Sequence, residues 1–198
     1  MKYDIDNIFE ENLNQHIETI NSLKNLKKNI KNSIKIISHS ISKGGKILFC
    51  GNGGSAADAQ HLAAELMIRL TKKKRKAYPA ISLSLDTSTL TACANDFKYE
   101  DIFSRALEGI GNKNDILIVL STSGNSKNIL KVLKSARSKK ITSIGFFGNN
   151  GGMCRKYTKI NLIVESKNTA RVQETHIFLG HFILSEVEKI LAKRIKNN

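Results

Sequence analysis

The chain has 198 residues, which suits one α/β unit with helical extensions and excludes two ordinary domains. Apolar residues make up 40% and charged residues 25%, so a packed core is feasible and general disorder is excluded. The longest aliphatic run, residues 116–120, is far shorter than the roughly 20 residues of a membrane-spanning helix, so the sequence predicts no association with a membrane.

The net charge of +15 raises the question of a nucleic-acid partner. The basic residues are mostly lysine, and the one dense cluster, Lys72–Lys76, contains no aromatic residue. We therefore interpret this cluster as a solvated connector and predict that the chain does not bind nucleic acid. A polyanion-binding patch is the alternative interpretation.

Cysteine usage and the start of the chain both bear on location. Cys50, Cys93 and Cys154 are scattered and form no CxxC pair, which favours a reducing compartment and argues against a zinc finger. Residues 1–6 carry acids and no apolar segment of the kind found in secretory signals. These features predict a cytoplasmic protein.

Apolar residues recur between residues 4 and 42, mostly three or four positions apart, which is helical spacing. A single helix of this length would be roughly 55 Å long, which is longer than a small domain is wide. The pattern predicts either two helices or an arm that packs on another subunit. We assign residues 4–42 to a helical oligomerisation region, residues 46–195 to an α/β core, and residues 1–198 to one domain.

After residue 45, short apolar runs alternate with helical stretches. Predicted strands span 46–50, 80–85, 115–120, 141–147 and 160–164; predicted helices span 55–70, 101–110, 126–138 and 171–195, with shorter ones near 87–95 and 150–157. Continuous apolar strands separated by helices indicate a parallel sheet covered on both faces. The predicted fold class is therefore α/β, with a five-stranded parallel sheet sandwiched by helices.

The last predicted helix carries two apolar stripes, Leu179/Ile183/Ile190 and Ile177/Leu184/Leu191. A helix that is apolar on more than one side is buried on more than one side. In a chain of this size, two such stripes predict the core of an oligomer.

A glycine-rich turn, Gly51-Asn52-Gly53-Gly54-Ser55, joins the first predicted strand to a helix. Glycines allow close approach of a ligand, and we expect Ser55 to cap the helix together with Asp58. The free N–H groups at a helix start suit an anion or sugar oxygens. The turn matches neither GxGxxG nor a Walker A loop, so nucleotide binding is disfavoured. A plain tight turn is the alternative.

A second loop, Ser121-Thr122-Ser123-Gly124-Asn125-Ser126, follows the strand predicted at 115–120. Its hydroxyls, together with the N–H groups of the next helix, complement a phosphate monoester. An ordinary N-cap is the alternative, but it needs fewer hydroxyls. Because ligands of open α/β sheets bind at the carboxyl ends of strands, we expect both loops to line one site.

The helix after the glycine turn carries a polar ridge of Asp58, His61, Glu65 and Arg69 at spacings of three and four. A histidine and a glutamate four residues apart can both reach one divalent metal ion. A surface ladder of ion pairs is the alternative. Taken alone, His176 and His181 are packed or solvated histidines, and capping is the simple explanation for Asn95 and Asp96.

Together these segments resemble the SIS (sugar isomerase) family and, within it, the phosphoheptose isomerases. The resemblance is carried, in order along the chain, by Gly51–Ser55 with Asp58, His61 and Glu65, by Asn95-Asp96-Phe97, by Ser121–Ser126, and by Arg171-Val172-Gln173-Glu174 with His176 and His181. It implies the flavodoxin-like SIS fold, a homotetramer and one Zn²⁺ per subunit.

The resemblance also implies roles for individual residues. Asn52, Gly53 and Gly54 would line the sugar together with Asn95 and Asp96. The phosphate would be held by Ser121, Thr122, Ser123 and Ser126. The zinc ligands would be His61, Glu65, Gln173 and His181; Glu65 and Gln173 would also contact the substrate, and Glu65 and His181 would be the acid/base pair.

The implied reaction is the isomerisation of D-sedoheptulose 7-phosphate to D-glycero-D-manno-heptose 7-phosphate through an enediol, the first step of bacterial ADP- or GDP-heptose synthesis. The main alternative is a non-enzymatic SIS protein that binds a replication initiator or senses sugar phosphates. A second alternative is a different sugar-phosphate isomerase of the same fold. A pure binder has no chemical reason to keep the set His61, Glu65, Gln173 and His181, so the sequence favours the enzyme.

Overall fold

The computed structural model describes residues 4–71 and 75–196, with side chains described up to residue 193 in the last helix. The strands are β1 Ile47–Gly51, β2 Ala80–Ser82, β3 Ile116–Ser121, β4 Thr142–Gly148 and β5 Ile160–Val164. The helices are α1 Ile5–Ser22, α2 Lys27–Ser42, α3 Gly54–Met67, α4 Thr87–Asp96, α5 Ile102–Ile110, α6 Lys127–Ser138 and α7 Thr169–Lys196. Short 3₁₀ turns lie at Leu23–Leu26, Tyr99–Asp101 and Cys154–Tyr157.

The five strands form one parallel sheet in the order β2-β1-β3-β4-β5. This confirms the predicted fold class, including the flavodoxin-like strand order. From β1 the chain adds β2 on one side and then crosses to place β3 on the other. The strand order therefore reverses between β1 and β3, and this is where open α/β sheets bind ligands.

Two apolar cores cover the two faces of the sheet, because successive strand residues point to opposite sides. Phe49, Ile118 and Phe146 pack on one side with α2, α3 and α7. Leu48, Val119 and Phe147 pack on the other with α5 and α6. Strands buried on both faces explain why their sequences are continuous apolar runs.

The N-terminal region consists of two helices separated by the turn at Leu23–Leu26, which confirms the two-helix alternative. Helix α2 packs against α7 and β5, and its Ile37 is fully buried. Helix α1 exposes large apolar side chains, among them Phe9 at 63% and Ile17 at 48%. Its apolar face is therefore only partly covered within one chain.

Helix α7 differs from its predicted packing. Leu179 and Ile183 of one stripe are buried, but Leu184 and Leu191 of the other are also buried within the same chain. Both stripes are therefore covered within one chain, and they do not by themselves indicate the core of an oligomer. The exposed apolar residues of α7 are instead Phe178 at 48% and Phe182 at 44%.

The basic cluster falls partly outside the described residues, because Lys72, Lys73 and Lys74 lie there. Arg75 is described, and its side chain is only 3% exposed. The interpretation of the cluster as a solvated connector is therefore wrong for Arg75, which forms an ion pair with Glu188 of α7.

The state of the cysteines and the character of the helices bear on the predictions of a reducing compartment and of no membrane association. Cys50, Cys93 and Cys154 are buried and free of disulfides. Among the helices of the described ranges, α7 included, none combines the length and the apolar character that a membrane span requires.

Candidate active site

The glycine loop after β1 and the serine loop after β3 lie side by side. Gly51 at the end of β1 pairs in register with Leu120 near the end of β3. Both loops therefore leave the carboxyl edge of the sheet at the position where the strand order reverses. The predicted meeting of the two loops is confirmed.

The glycine loop turns sharply into α3. Gly53 precedes the helix with φ +56° and ψ −124°, a backbone conformation that favours glycine. Ser55 was expected to be the N-cap, but it lies inside the helix, where it is buried and packs against Gly51. A side chain at position 54 would overlap the amide of Gln173, so Gly54 lets the start of α3 touch α7.

The serine loop holds its own conformation through two hydroxyls. Ser121 Oγ accepts a hydrogen bond from the N–H of Gly124 at 3.1 Å, and Ser123 Oγ accepts one from the N–H of Asn125 at 3.1 Å. Each hydroxyl keeps its own O–H for a ligand. Ser126 precedes α6 without a side-chain cap bond, so ordinary N-capping does not explain this serine.

Asn128, which the sequence analysis missed, joins the two loops. Its amide and that of Asn52 exchange two hydrogen bonds of 2.8 and 2.9 Å, and Tyr99 Oη donates to Asn52 Oδ1 at 3.1 Å. Asn128 is buried, with an exposed fraction of 3%. The only sequence signal was a polar residue in the first turn of α6, where a solvated position was equally plausible.

Asn95 and Asp96 lie exposed at the C-terminal end of α4, and the Asn95 amide donates to Asp96 Oδ1 at 2.8 Å. Neither side chain caps a neighbouring helix, because the N-cap positions of α4, of the 3₁₀ turn Tyr99–Asp101 and of α5 are Asp86, Lys98 and Asp101. The capping explanation is therefore not supported by the structure. Tyr99 connects the segment after α4 with Asn52 of the glycine loop.

The ridge of α3 meets α7 at three titratable side chains. His61 Nε2 lies 2.8 Å from His181 Nε2 and 3.6 Å from Glu65 Oε1. A side chain at Gly180 would lie 2.6 Å from Leu62, so the missing side chain lets the two helices approach closely. Arg69 does not extend the ridge as predicted, because α3 ends at Met67.

Burial and neighbouring charges shift the pKa values of His181 and Asp58 in opposite directions. Burial lowers the pKa of His181, the neighbouring His61 lowers it further, and Glu65 acts in the opposite direction. Burial raises the pKa of the Asp58 carboxyl on the same helix, and Oδ2 of this carboxyl is buried without a hydrogen-bond partner in the described residues. The site thus favours a neutral imidazole at His181.

The donor chemistry of this group fits a zinc ion, since two imidazoles and a carboxylate are ligands that Zn²⁺ prefers. Gln173, the fourth predicted ligand, lies on α7 against Gly54. Within residues 4–71 and 75–196, however, no three His, Cys, Asp or Glu side chains already surround one metal position. Metal binding at His61, Glu65, Gln173 and His181 therefore stays a prediction.

His176 is separated from the site although it lies on the same helix. It is fully buried against Phe146, with ring centroids 6.0 Å apart. Neither ring nitrogen makes a well-formed hydrogen bond within the described part of the chain. Burial lowers the pKa of His176 to about 4, with the backbone of Phe147 acting in the opposite direction. This residue is a neutral core histidine.

Comparison with known proteins agrees with this geometry. The sequence model of the SIS domain family matches residues 9–148. The phosphoheptose isomerase of Helicobacter pylori is 44% identical over 96% of this chain and 99% of its own length, and that of Paramagnetospirillum magneticum is 54% identical over 77% and 79%. The chain belongs to the phosphoheptose isomerase family of SIS-domain proteins.

Solved structures of phosphoheptose isomerases show the same fold. The protein from Neisseria gonorrhoeae superposes with a TM-score of 0.87 at 32% identity, covering 94% of this chain and all of that one. The protein from Francisella tularensis gives 0.85 at 34% identity, with coverages of 93% and 96%. The resemblance stated from sequence motifs is thereby confirmed.

Proposed function

We propose that the chain is an isomerase that converts D-sedoheptulose 7-phosphate into D-glycero-D-manno-heptose 7-phosphate, the first step of ADP- or GDP-heptose synthesis. The observation that carries the proposal is the position of His61 on α3, which lies 2.8 Å from His181 on α7 and 3.6 Å from Glu65, in a chain of the phosphoheptose isomerase family. This group supplies the carboxylate and imidazole that proton transfer between two carbons requires.

The serine loop supports a place for the phosphate. Ser121, Thr122, Ser123 and Ser126 offer hydroxyls, and the start of α6 offers backbone N–H groups. The sugar would run past Asn52, Gly53 and Gly54 towards the polar ridge of α3, with Asn95, Asp96 and Gln173 beside it. Residues 54 and 61 are about 10 Å apart along the helix axis at 1.5 Å per residue, which leaves room for an extended sugar between the phosphate and the reacting end.

The isomerisation moves one proton between carbons and one between oxygens. Glu65 would take a proton from C1 of the ketose, and the C1–H electron pair would become the C1–C2 double bond of the enediol. His181 would give a proton to the oxygen on C2. Glu65 would then give its proton to C2, and the oxygen on C1 would give its proton back to His181, which leaves the aldose and restores both residues.

A zinc ion held by His61, Glu65, Gln173 and His181 would supply Lewis-acid stabilisation of negative charge on the substrate oxygens. The support for this part of the proposal is the donor set itself, two imidazoles with a carboxylate at one helix–helix contact.

A homotetramer in the cytoplasm completes the proposal. An apolar groove of about 530 Å³ is open between α1, α2 and α7, and its lining includes Ile20, Leu23, Phe178 and Phe182. Exposed apolar surface of this kind marks a contact with another protein surface, here a second copy of the chain. Free buried cysteines are consistent with a reducing compartment.

The alternative, a non-enzymatic sensor or replication-initiator partner, requires the phosphate loop but not the acid/base group. Incubation with D-sedoheptulose 7-phosphate, with and without a chelator, separates the two functions. The enzyme forms the aldose and slows when metal is removed. A pure binder shows phosphate-dependent binding and no product.

A further inference from the structure

A buried ion pair lies behind the polar ridge, where α3 ends and α7 passes. Arg75 Nε donates to Glu188 Oε2 at 2.8 Å, and the two side chains are 3% and 1% exposed. None of the acid/base or phosphate roles described above uses either residue. Burial of two charges in a protein interior has a large desolvation cost, so a pair of this kind is weak evidence for stability and is open to another role.

The Arg75 guanidinium binds the end of the helix that carries His61 and Glu65. Its Nη2 donates to the backbone carbonyl of Glu65 at 2.6 Å, and its Nη1 donates to that of Leu66 at 2.8 Å. The last carbonyls of a helix have no partners within the helix, and a cation there also complements the helix dipole. Arg75 therefore holds the backbone of Glu65 itself.

Glu188 connects the same contact to the helix that carries His181. It lies two helical turns after His181, on the same side of α7. Its Oε1 accepts from Thr71 Oγ1 at 2.6 Å, and its Oε2 also accepts from the N–H of Leu70 at 3.3 Å. The carboxylate thus binds both the guanidinium and the segment that leaves α3.

We propose that Arg75 and Glu188 are positioning residues, which fix α3 against α7 so that His61, next to Glu65 on α3, meets His181. The two helices also pack together where Gly180 lies against Leu62 and where Gly54 lies against Gln173. Rotation or sliding of α3 would change the 2.8 Å separation of the two imidazoles directly. The inference rests on the proposed function for its kinetic consequence, but its geometric consequence does not.

The test uses Arg75→Lys, which keeps the charge and loses the planar fork that reaches Glu188 and the two carbonyls together. The double variant Arg75→Met/Glu188→Leu removes the pair without leaving a buried charge, so it preserves folding if the single variant does not. Lys189→Met is the control, because Lys189 forms an exposed ion pair with Glu186 on the same helix.

We expect kcat to fall by about 100-fold in a folded variant, since a displacement of about 1 Å at a reacting group costs that much, while KM changes far less. Imidazole ¹⁵N signals of His61 and His181, recorded without metal or substrate, should shift in the variants and stay unchanged in the control. Circular dichroism reports whether each variant is folded.

A folded variant with wild-type kcat and wild-type imidazole signals would overturn the proposal. Loss of fold in both variants would also overturn it, because the role would then be purely structural. If the wild-type protein lacks isomerase activity, the proposed function fails, and the imidazole signals alone still decide whether the pair positions the histidines.

Discussion

At the scale of single residues, neighbouring histidines on α7 have opposite environments. His181 is partly exposed and lies 2.8 Å from His61, whereas His176 is fully buried next to Phe146. Five residues turn a helix by about 140°, so the two rings leave α7 on different sides. We therefore propose the acid/base role for His181 and not for His176, and we expect substitution of His176 to affect folding before it affects chemistry.

Glu65→Gln tests the carbon base. The amide keeps the shape of the side chain but cannot accept the C1 proton, so turnover should fall by roughly 100-fold or more with the fold intact. Solvent deuterium should enter the substrate carbons in the wild type and much more slowly in the variant. Glu108→Gln, at an exposed carboxylate on α5, is the control. Near-normal deuterium exchange in Glu65→Gln would transfer the base role, first to His181.

His176 predicts a specific pH dependence of stability. Burial lowers its pKa from 6.5 to about 4, so between these values the unfolded chain binds a proton that the folded chain does not. The free energy of unfolding should therefore decrease as the pH falls from about 7 to about 4, by up to about 3 kcal/mol from this residue.

His176→Leu should remove that contribution, so its urea-unfolding free energy should depend less on pH over this range than that of the wild type. His39, exposed on α2, provides the control His39→Leu. Parallel curves for wild type and His176→Leu would show that His176 is protonated equally in both states.

At the scale of elements, the predictable features are those that local sequence encodes. Strand β3 was predicted at 115–120 and found at Ile116–Ser121, because five successive aliphatic residues fit only a doubly buried strand there. The link of Asn52 to Asn128 spans 76 residues, and that of Arg75 to Glu188 spans 113. Such contacts depend on how distant elements pack together, and local sequence patterns do not predict them.

The same reasoning explains which site residues were predictable. Spacing along one helix indicated that His61 and Glu65 share a ridge, and the structure confirms their proximity. Spacing along the sequence could not predict that His181 lies next to them, because His181 is on a different helix. That residue was predicted from the family resemblance alone. The burial of Arg75 was not predictable from the basic cluster, because its ion-pair partner Glu188 is remote in sequence.

The hydroxyls of the serine loop are predicted to bind the substrate phosphate. Ser121→Ala/Ser123→Ala removes two hydroxyl donors, so substrate binding should weaken by about 1–3 kcal/mol while metal content stays the same. Isothermal titration with the sugar phosphate and metal analysis measure the two quantities. Ser138→Ala, at the exposed end of α6, is the control. Unchanged substrate affinity would place the phosphate elsewhere.

At the scale of the whole molecule, the exposed apolar residues concentrate on the N-terminal helix and on one side of α7. Ile5, Phe9 and Leu13 of α1 are 40–63% exposed, and Phe178 and Phe182 of α7 border the groove beside them. Large apolar patches on an isolated chain favour association. We therefore propose this side of the chain as the partner surface, in place of the stripes of α7 that the sequence suggested.

The exposed apolar groove predicts a homotetramer in solution. Light scattering at micromolar concentration should give about 88 kDa, the mass of four chains of 22.0 kDa. Phe178→Asp/Phe182→Asp places two charges in the apolar groove and should yield smaller species, because unpaired carboxylates are costly to bury in an interface. Arg137→Asp on α6, an exposed position on the other face of the sheet, should leave the mass unchanged.

We expect activity to fall together with the mass if each site draws residues from more than one chain. A wild-type protein that stays monomeric at this concentration would remove the basis for the tetramer and would require the site to be complete within one chain.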